Sequence, residues 1–143
     1  MKKNIPYRLI FAVVAGIATT MILTGITNIV MHSIGLHPAL FQPMYDDTEA
    51  QLALFYHSLY AIFGGFITAL IAKNKARRAV FILGTKELIM WGIGAILLWQ
   101  HAPAWYTITK ALLGIPLAWI GGILYETYKK RKSLLSARTL PLV

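Results

Sequence analysis

The chain contains no cysteine. That absence excludes disulfides, thiolate metal sites, thiol chemistry and a lipid-modified cysteine anchor. Charge is scarce as well. Only 13% of the residues are Asp, Glu, Lys or Arg, against about 25% in a soluble domain. Acidic residues are the rarest part of that share, with 5 Asp and Glu against 14 Lys and Arg and a net charge of +9. Catalytic signatures are missing too. There is no HExxH, no His pair at i, i+4, no phosphate loop with its Lys-Ser/Thr, and no hydrolase or kinase pattern. With 143 residues there is no room for a soluble catalytic domain beside the apolar runs. The sequence therefore calls for no cofactor, and an enzyme reading would rest on histidines alone.

Long hydrophobic runs take the place of charge. The chain is 57% hydrophobic with a mean hydropathy of +0.62. Runs at 9–31, 52–72, 79–99 and 104–125 each approach the about 20 residues that cross a bilayer. The first exceeds the about 7–15 residues of a signal-peptide core and is read as an uncleaved span. Pro116 falls inside the fourth, where neighbouring helices can satisfy the backbone that it disrupts. The expectation is an all-α integral membrane four-helix bundle forming one domain over 1–143, with a basic tail at 126–143.

The basic residues set a direction. Lys2, Lys3 and Arg8 precede the first run, Lys73, Lys75, Arg77 and Arg78 separate the second from the third, and Lys129, Lys130, Arg131 and Lys132 follow the fourth. The stretch from 32 to 51 has no Lys or Arg and carries Asp46, Asp47 and Glu49; QHAP, from 100 to 103, has none either. By the positive-inside rule both termini are cytoplasmic. Trp99, Trp105, Tyr106 and Tyr56 then fit an aromatic belt at the outer edge. A pI near 10 would suggest nucleic acid in a soluble protein. Here the basic groups sit in short flanks between spans, so no nucleic-acid partner is expected.

The two halves echo each other. His37-Pro38 in the first outer loop answers His101-Ala102-Pro103 in the third, and Gly64-Gly65 answers Gly121-Gly122. A duplicated helical hairpin, both copies with the same topology, is one reading; chance likeness of two apolar hairpins is the other. The four glycines, and the small-residue face Ala12, Ala15, Gly16 and Thr19, are expected at helix–helix contacts, where small side chains let backbones approach.

YAIFGGFITALIA at 60–72 with the basic loop after it, LLWQHAPAW at 97–105 and PLAWIGGIL at 116–124 resemble a set of small four-span proteins of the bacterial inner membrane. That resemblance implies the four-span fold and that location. It brings no activity and transfers no site, and Lys86-Glu87 lies outside the shared pattern.

Candidate chemistry is confined to a few polar residues. FILGTKELIMWGIG, from 81 to 94, carries Lys86 and Glu87 inside the third run. Glu87 lies about 12 Å from the cytoplasmic edge, where a carboxylate costs about 2.5–3.5 kcal/mol. Side chains at i and i+1 diverge by about 100°, so Glu87 is expected to find its partner on another helix, while Lys86 snorkels toward the cytoplasm. His57 and Lys110 share a depth about 9 Å inside the outer edge, and Lys110 is expected to snorkel outward. Thr19, Thr20, Thr24, Thr27 and Asn28 give the first run a polar stripe. His32, His37, His57 and His101 all lie toward the outer side, but their spacing matches no known metal site, and His57 has no partner at its depth to hold a haem.

Two functions remain open. One is a scaffold or accessory subunit that works through helix–helix contacts with another membrane protein or a second copy. The other is an oligomeric transporter or channel component with Glu87 as an intramembrane proton or ion site, lined by Lys86, His57 and Lys110.

Overall fold

A computed structural model describes residues 7–36, 43–97 and 99–138. The expected His37-Pro38 motif lies outside them. Among the described residues the chain is all helical, and three helices are long and apolar enough to cross a membrane: Tyr7–Ser33, Asp47–Leu97 and Ala104–Ala137. The middle one is a single helical run of 51 residues where the sequence predicts two spans. It folds back on itself at a 3-10 turn, Lys73–Lys75. We label the elements α1 (Tyr7–Ser33), α2 (Asp47–Ala72), α3 (Ala76–Leu97) and α4 (Ala104–Arg138).

Local signals fix the ends. Gly35 closes α1 with φ +76°, a conformation that glycine adopts without a Cβ penalty. Leu36 N–H reaches Met31 O at 2.9 Å and Gly35 N–H reaches His32 O at 3.1 Å, the paired bonds of a Schellman stop. Asp46 caps α2 by accepting from Thr48 N–H at 2.7 Å. Asp47 and Glu49 follow in the first turn, on the favourable side of the helix dipole. Lys73 breaks α2 with φ 53°, and α3 returns antiparallel beside it, so that His57 and Trp91 rings lie 6.3 Å apart. The helix of α4 runs to Arg138, well past the span predicted to end at 125, so most of the basic tail continues the helix.

The helices meet through small residues. Gly16 on α1 faces Gly64 and Thr68 on α2. Gly65 on α2 faces the backbone of Ala118, and Gly121 on α4 faces the backbone of Ile62 and Phe66. Gly122 packs on Val80, and Gly84 on Ile115. Ala50, Ala53, Tyr56 and Tyr106 form a buried cluster at the loop end, and two more clusters lie toward the basic end. Ala69, Ala76, Val80, Leu83, Ala118 and Tyr125 form one buried cluster, and Leu9, Ala12, Ala72 and Ala79 a second. Arg8 Nε donates to Ile71 O at 2.7 Å, and Arg77 pairs with Glu126 at 2.7 Å on the surface. At the opposite end the loops are tied together. Met44 N–H donates to His101 O at 2.8 Å, and Trp105 Nε1 donates to Asp47 Oδ1 at 2.8 Å.

Candidate functional site: a cavity between the helices

α1 and α3 share the packed cluster at the basic end, through Leu9 and Ala12 against Ala79. Toward the loop end they line opposite walls of a cavity of about 980 Å³. Thr20, Thr24 and Asn28 come from α1, and Glu87, Trp91 and Gly94 from α3. Tyr56 and His57 of α2 and Tyr106 and Lys110 of α4 complete it. Its size is that of pockets that enclose a small organic molecule, roughly 300–1,000 Å³.

All four ionisable candidates line this cavity: Lys86, Glu87, His57 and Lys110. Their bonding differs from the expectation at two points. Glu87 takes both partners from its own helix. Lys86 Nζ lies 3.0 Å from Glu87 Oε1, and Trp91 Nε1 donates to Glu87 Oε2 at 3.1 Å. The 100° divergence of neighbours is overcome by the length of the lysine side chain, which bends back over the carboxylate instead of reaching for the edge. Gly114 of α4 faces it. A Cβ there would sit 2.9 Å from Glu87 Cβ, so α4 presses on the base of the glutamate, and Lys110 of α4 acts on its head through space.

Lys110 does not snorkel either. It is 8% exposed, and its ammonium stands 3.4 Å from the centroid of the Trp91 ring and donates to Tyr106 Oη at 3.1 Å. Trp91 thus serves two charges at once, with its N–H on the anion and its π face under the cation. Each charge orients the ring for the other.

His57 is fixed by its own backbone. Nδ1 lies 2.6 Å from Ala53 O. A carbonyl only accepts, so Nδ1 carries the proton. Tyr106 Oη approaches the same nitrogen at 3.5 Å. The aromatic belt expected at the outer edge is divided. Trp99 is exposed, whereas Tyr56 and Tyr106 are buried and turn inward. Tyr56 donates to Asn28 Oδ1 at 2.6 Å, and Thr27 and Tyr60 hydroxyls share a bond of 2.6 Å, so the polar stripe of α1 docks on α2. Thr19 instead donates to its own Ala15 O.

Sequence reasoning passed over Trp91 and Tyr106. A signal existed for both. Trp91 lies four residues after Glu87 and Tyr106 four before Lys110, the spacing at which helix side chains meet. Each buried charge has an aromatic donor or acceptor one turn away, on the loop side.

Chemically the set is not a proton wire. Indole N–H donates and cannot accept, so a proton on Glu87 stops at Trp91. The site is better suited to holding charge than to relaying it. Among the described residues no three His, Asp or Glu come together as metal ligands. Compared with known proteins, the chain matches no family model, and no curated protein or solved structure matches it.

Proposed function

We propose that the chain is a four-span protein of the bacterial cytoplasmic membrane, with both termini inside, that works as a transporter or channel component. The observation that carries this reading is the cavity of about 980 Å³ with Lys86, Glu87 and Lys110 on its walls. Ionisable groups at membrane depth are costly and mark ligand or ion sites, and here they converge on one space that opens toward the loop end. Glu87 is the intramembrane ion site, its carboxyl group bonded to Lys86 and Trp91. Passage through the protein requires α1 and α3 to part where Leu9 and Ala12 meet Ala79, which is the step that alternates access.

The scaffold reading is weaker for a specific reason. The glycines that would offer a docking face are used inside the chain, at the α1–α2 and α2–α4 crossings. The apolar side chains left outside face lipid.

The test is ion flux in liposomes, with reporter fusions at each terminus. Glu87→Gln keeps the shape of the side chain and removes its charge. It is expected to abolish flux while helicity and elution volume stay unchanged. Undiminished flux, or a terminus outside the cell, refutes the reading.

A further inference from the structure

The charges around the cavity do not balance. The chain has 5 Asp and Glu, and each has a place. Asp46 caps α2, Asp47 binds Trp105, Glu49 is half-buried near the start of α2, Glu126 pairs with Arg77 and Glu87 pairs with Lys86. Glu87 also acts on Lys110 through space, so one carboxylate answers two lysines on the cavity wall. Its ammonium has three donors. One is spent on Tyr106 Oη and one side rests on the Trp91 ring. Yet the residue is 8% exposed and lines the cavity. Two lysines against one carboxylate leave a positive charge unbalanced at the cavity, which is unfavourable where a group is buried, and the cavity is where a second counter-ion fits.

The rest of the wall says what that anion is attached to. Met21, Met90, Ile93, Leu97, Leu113 and Leu117 also line the space. A small hydrated anion would leave that apolar surface uncovered. A ligand with an acidic head and an apolar chain covers it and neutralises Lys110 at the same time. Met21, Met90, Ile93 and Leu97 are half or more exposed, which gives such a chain a way in from the lipid. We propose that the cavity binds a single-chain anionic amphiphile drawn from the outer leaflet, with its acid group on Lys110 and its chain along the methionine and leucine wall. This rests on the cavity being the working site of the protein, and it names the class of ligand.

The experiment reads quenching of Trp91 fluorescence in neutral detergent micelles by dibromostearate and by its methyl ester, which partition into micelles alike and differ in charge. The full chain is compared with Trp91→Phe to isolate the signal. The acid is expected to quench saturably and at least roughly tenfold more tightly than the ester, the effect of one hydrogen bond to a charged group. Lys110→Met should erase that preference and Lys110→Arg should keep it. Acetate, a head without a chain, should not compete. Equal quenching by acid and ester, or a preference that survives Lys110→Met, overturns the proposal. Competition by acetate makes the site one for small anions and overturns it as well. If Lys110→Met does not fold, the acid-to-ester ratio on the unmodified chain decides. Failure here together with Glu87-dependent flux discards the ligand class and leaves the transport reading standing. Loss of that flux dependence with acid binding intact does the reverse.

Discussion

Gly65→Ala adds one methyl group at the crossing of α2 and α4. The new Cβ would collide with the carbonyl oxygen of Ala118 and lie 3.0 Å from Ala118 Cα and 3.1 Å from its carbonyl carbon. All three atoms are backbone of a helix and cannot rotate aside. Carbon atoms prefer about 3.5–4.0 Å, so the two helices must part by roughly half an ångström or more along this seam. Gly121 lies in the same seam against Ile62 and Phe66, and its contacts loosen with it. Overpacking of this kind costs about 1–3 kcal/mol. Alanine also returns about 0.5–1 kcal/mol of helix propensity, which blurs the raw number.

Gly92→Ala removes that ambiguity. It makes the same chemical change inside α3, where an added Cβ meets nothing within 4 Å. The propensity gain is common to both variants and cancels in their difference, leaving the overpacking cost of about 1–3 kcal/mol. The assay is equilibrium unfolding by SDS in mixed micelles, followed by far-UV circular dichroism. Gly65→Ala should unfold earlier than the unmodified chain and Gly92→Ala no earlier. If the two variants agree within about 0.5 kcal/mol, the usual scatter for sites that touch nothing, the close approach of α2 and α4 at Gly65 is refuted.

Two other perturbations have a definite sign. Thr68 Oγ1 is buried and, among the described residues, has no hydrogen-bond partner, so Thr68→Val should raise stability by about 1 kcal/mol in the same SDS titration; a loss would mean that the hydroxyl is satisfied. Glu126 is held below the ordinary carboxylate value of 4.5 by its hydrogen bond from Arg77, with the positive charges of Arg77, Lys130 and Lys129 adding to it. A carboxylate lowered in this way stabilises the fold above its unfolded value and loses that contribution as pH falls through its folded one. Melting of the unmodified chain between pH 5 and 3, the window that brackets about 4.3 for an unfolded Glu, should therefore fall more steeply than that of Glu126→Gln. High salt should remove the difference, because the pair is exposed; parallel profiles at low salt would show that the pair contributes nothing.

Apolar runs were legible because the helices are built on them. Each predicted run lies within an observed helix or a residue or two beyond it, and the misses are at the ends. Asp46 and Gly35 set the true start of α2 and end of α1 through backbone bonds that hydropathy does not register. The far end of α4 was missed for the opposite reason. A run such as ETYKKRKSLLSAR is too polar to count as a span, yet it contains no proline or glycine to stop a helix already under way.

The site was legible residue by residue and not as an arrangement. Cost at membrane depth singled out Glu87, Lys86, His57 and Lys110, and these do line one cavity. The pairing among them went astray because angular geometry was applied at Cα, while long side chains are settled at their tips. Lys86 has enough methylenes to curl back to its neighbour, while Lys110 of α4 acts on Glu87 through space, with the Trp91 ring touching both. The aromatic residues were set aside as interfacial because Trp and Tyr are common there. Tyr106 and Trp91 also sit one helical turn from a charge that must be buried, and that neighbour decides where they point. In this chain both intramembrane charges meet a polar aromatic at i±4 on their own helix, the spacing at which helix side chains come together, and the two charges then act on each other across α3 and α4.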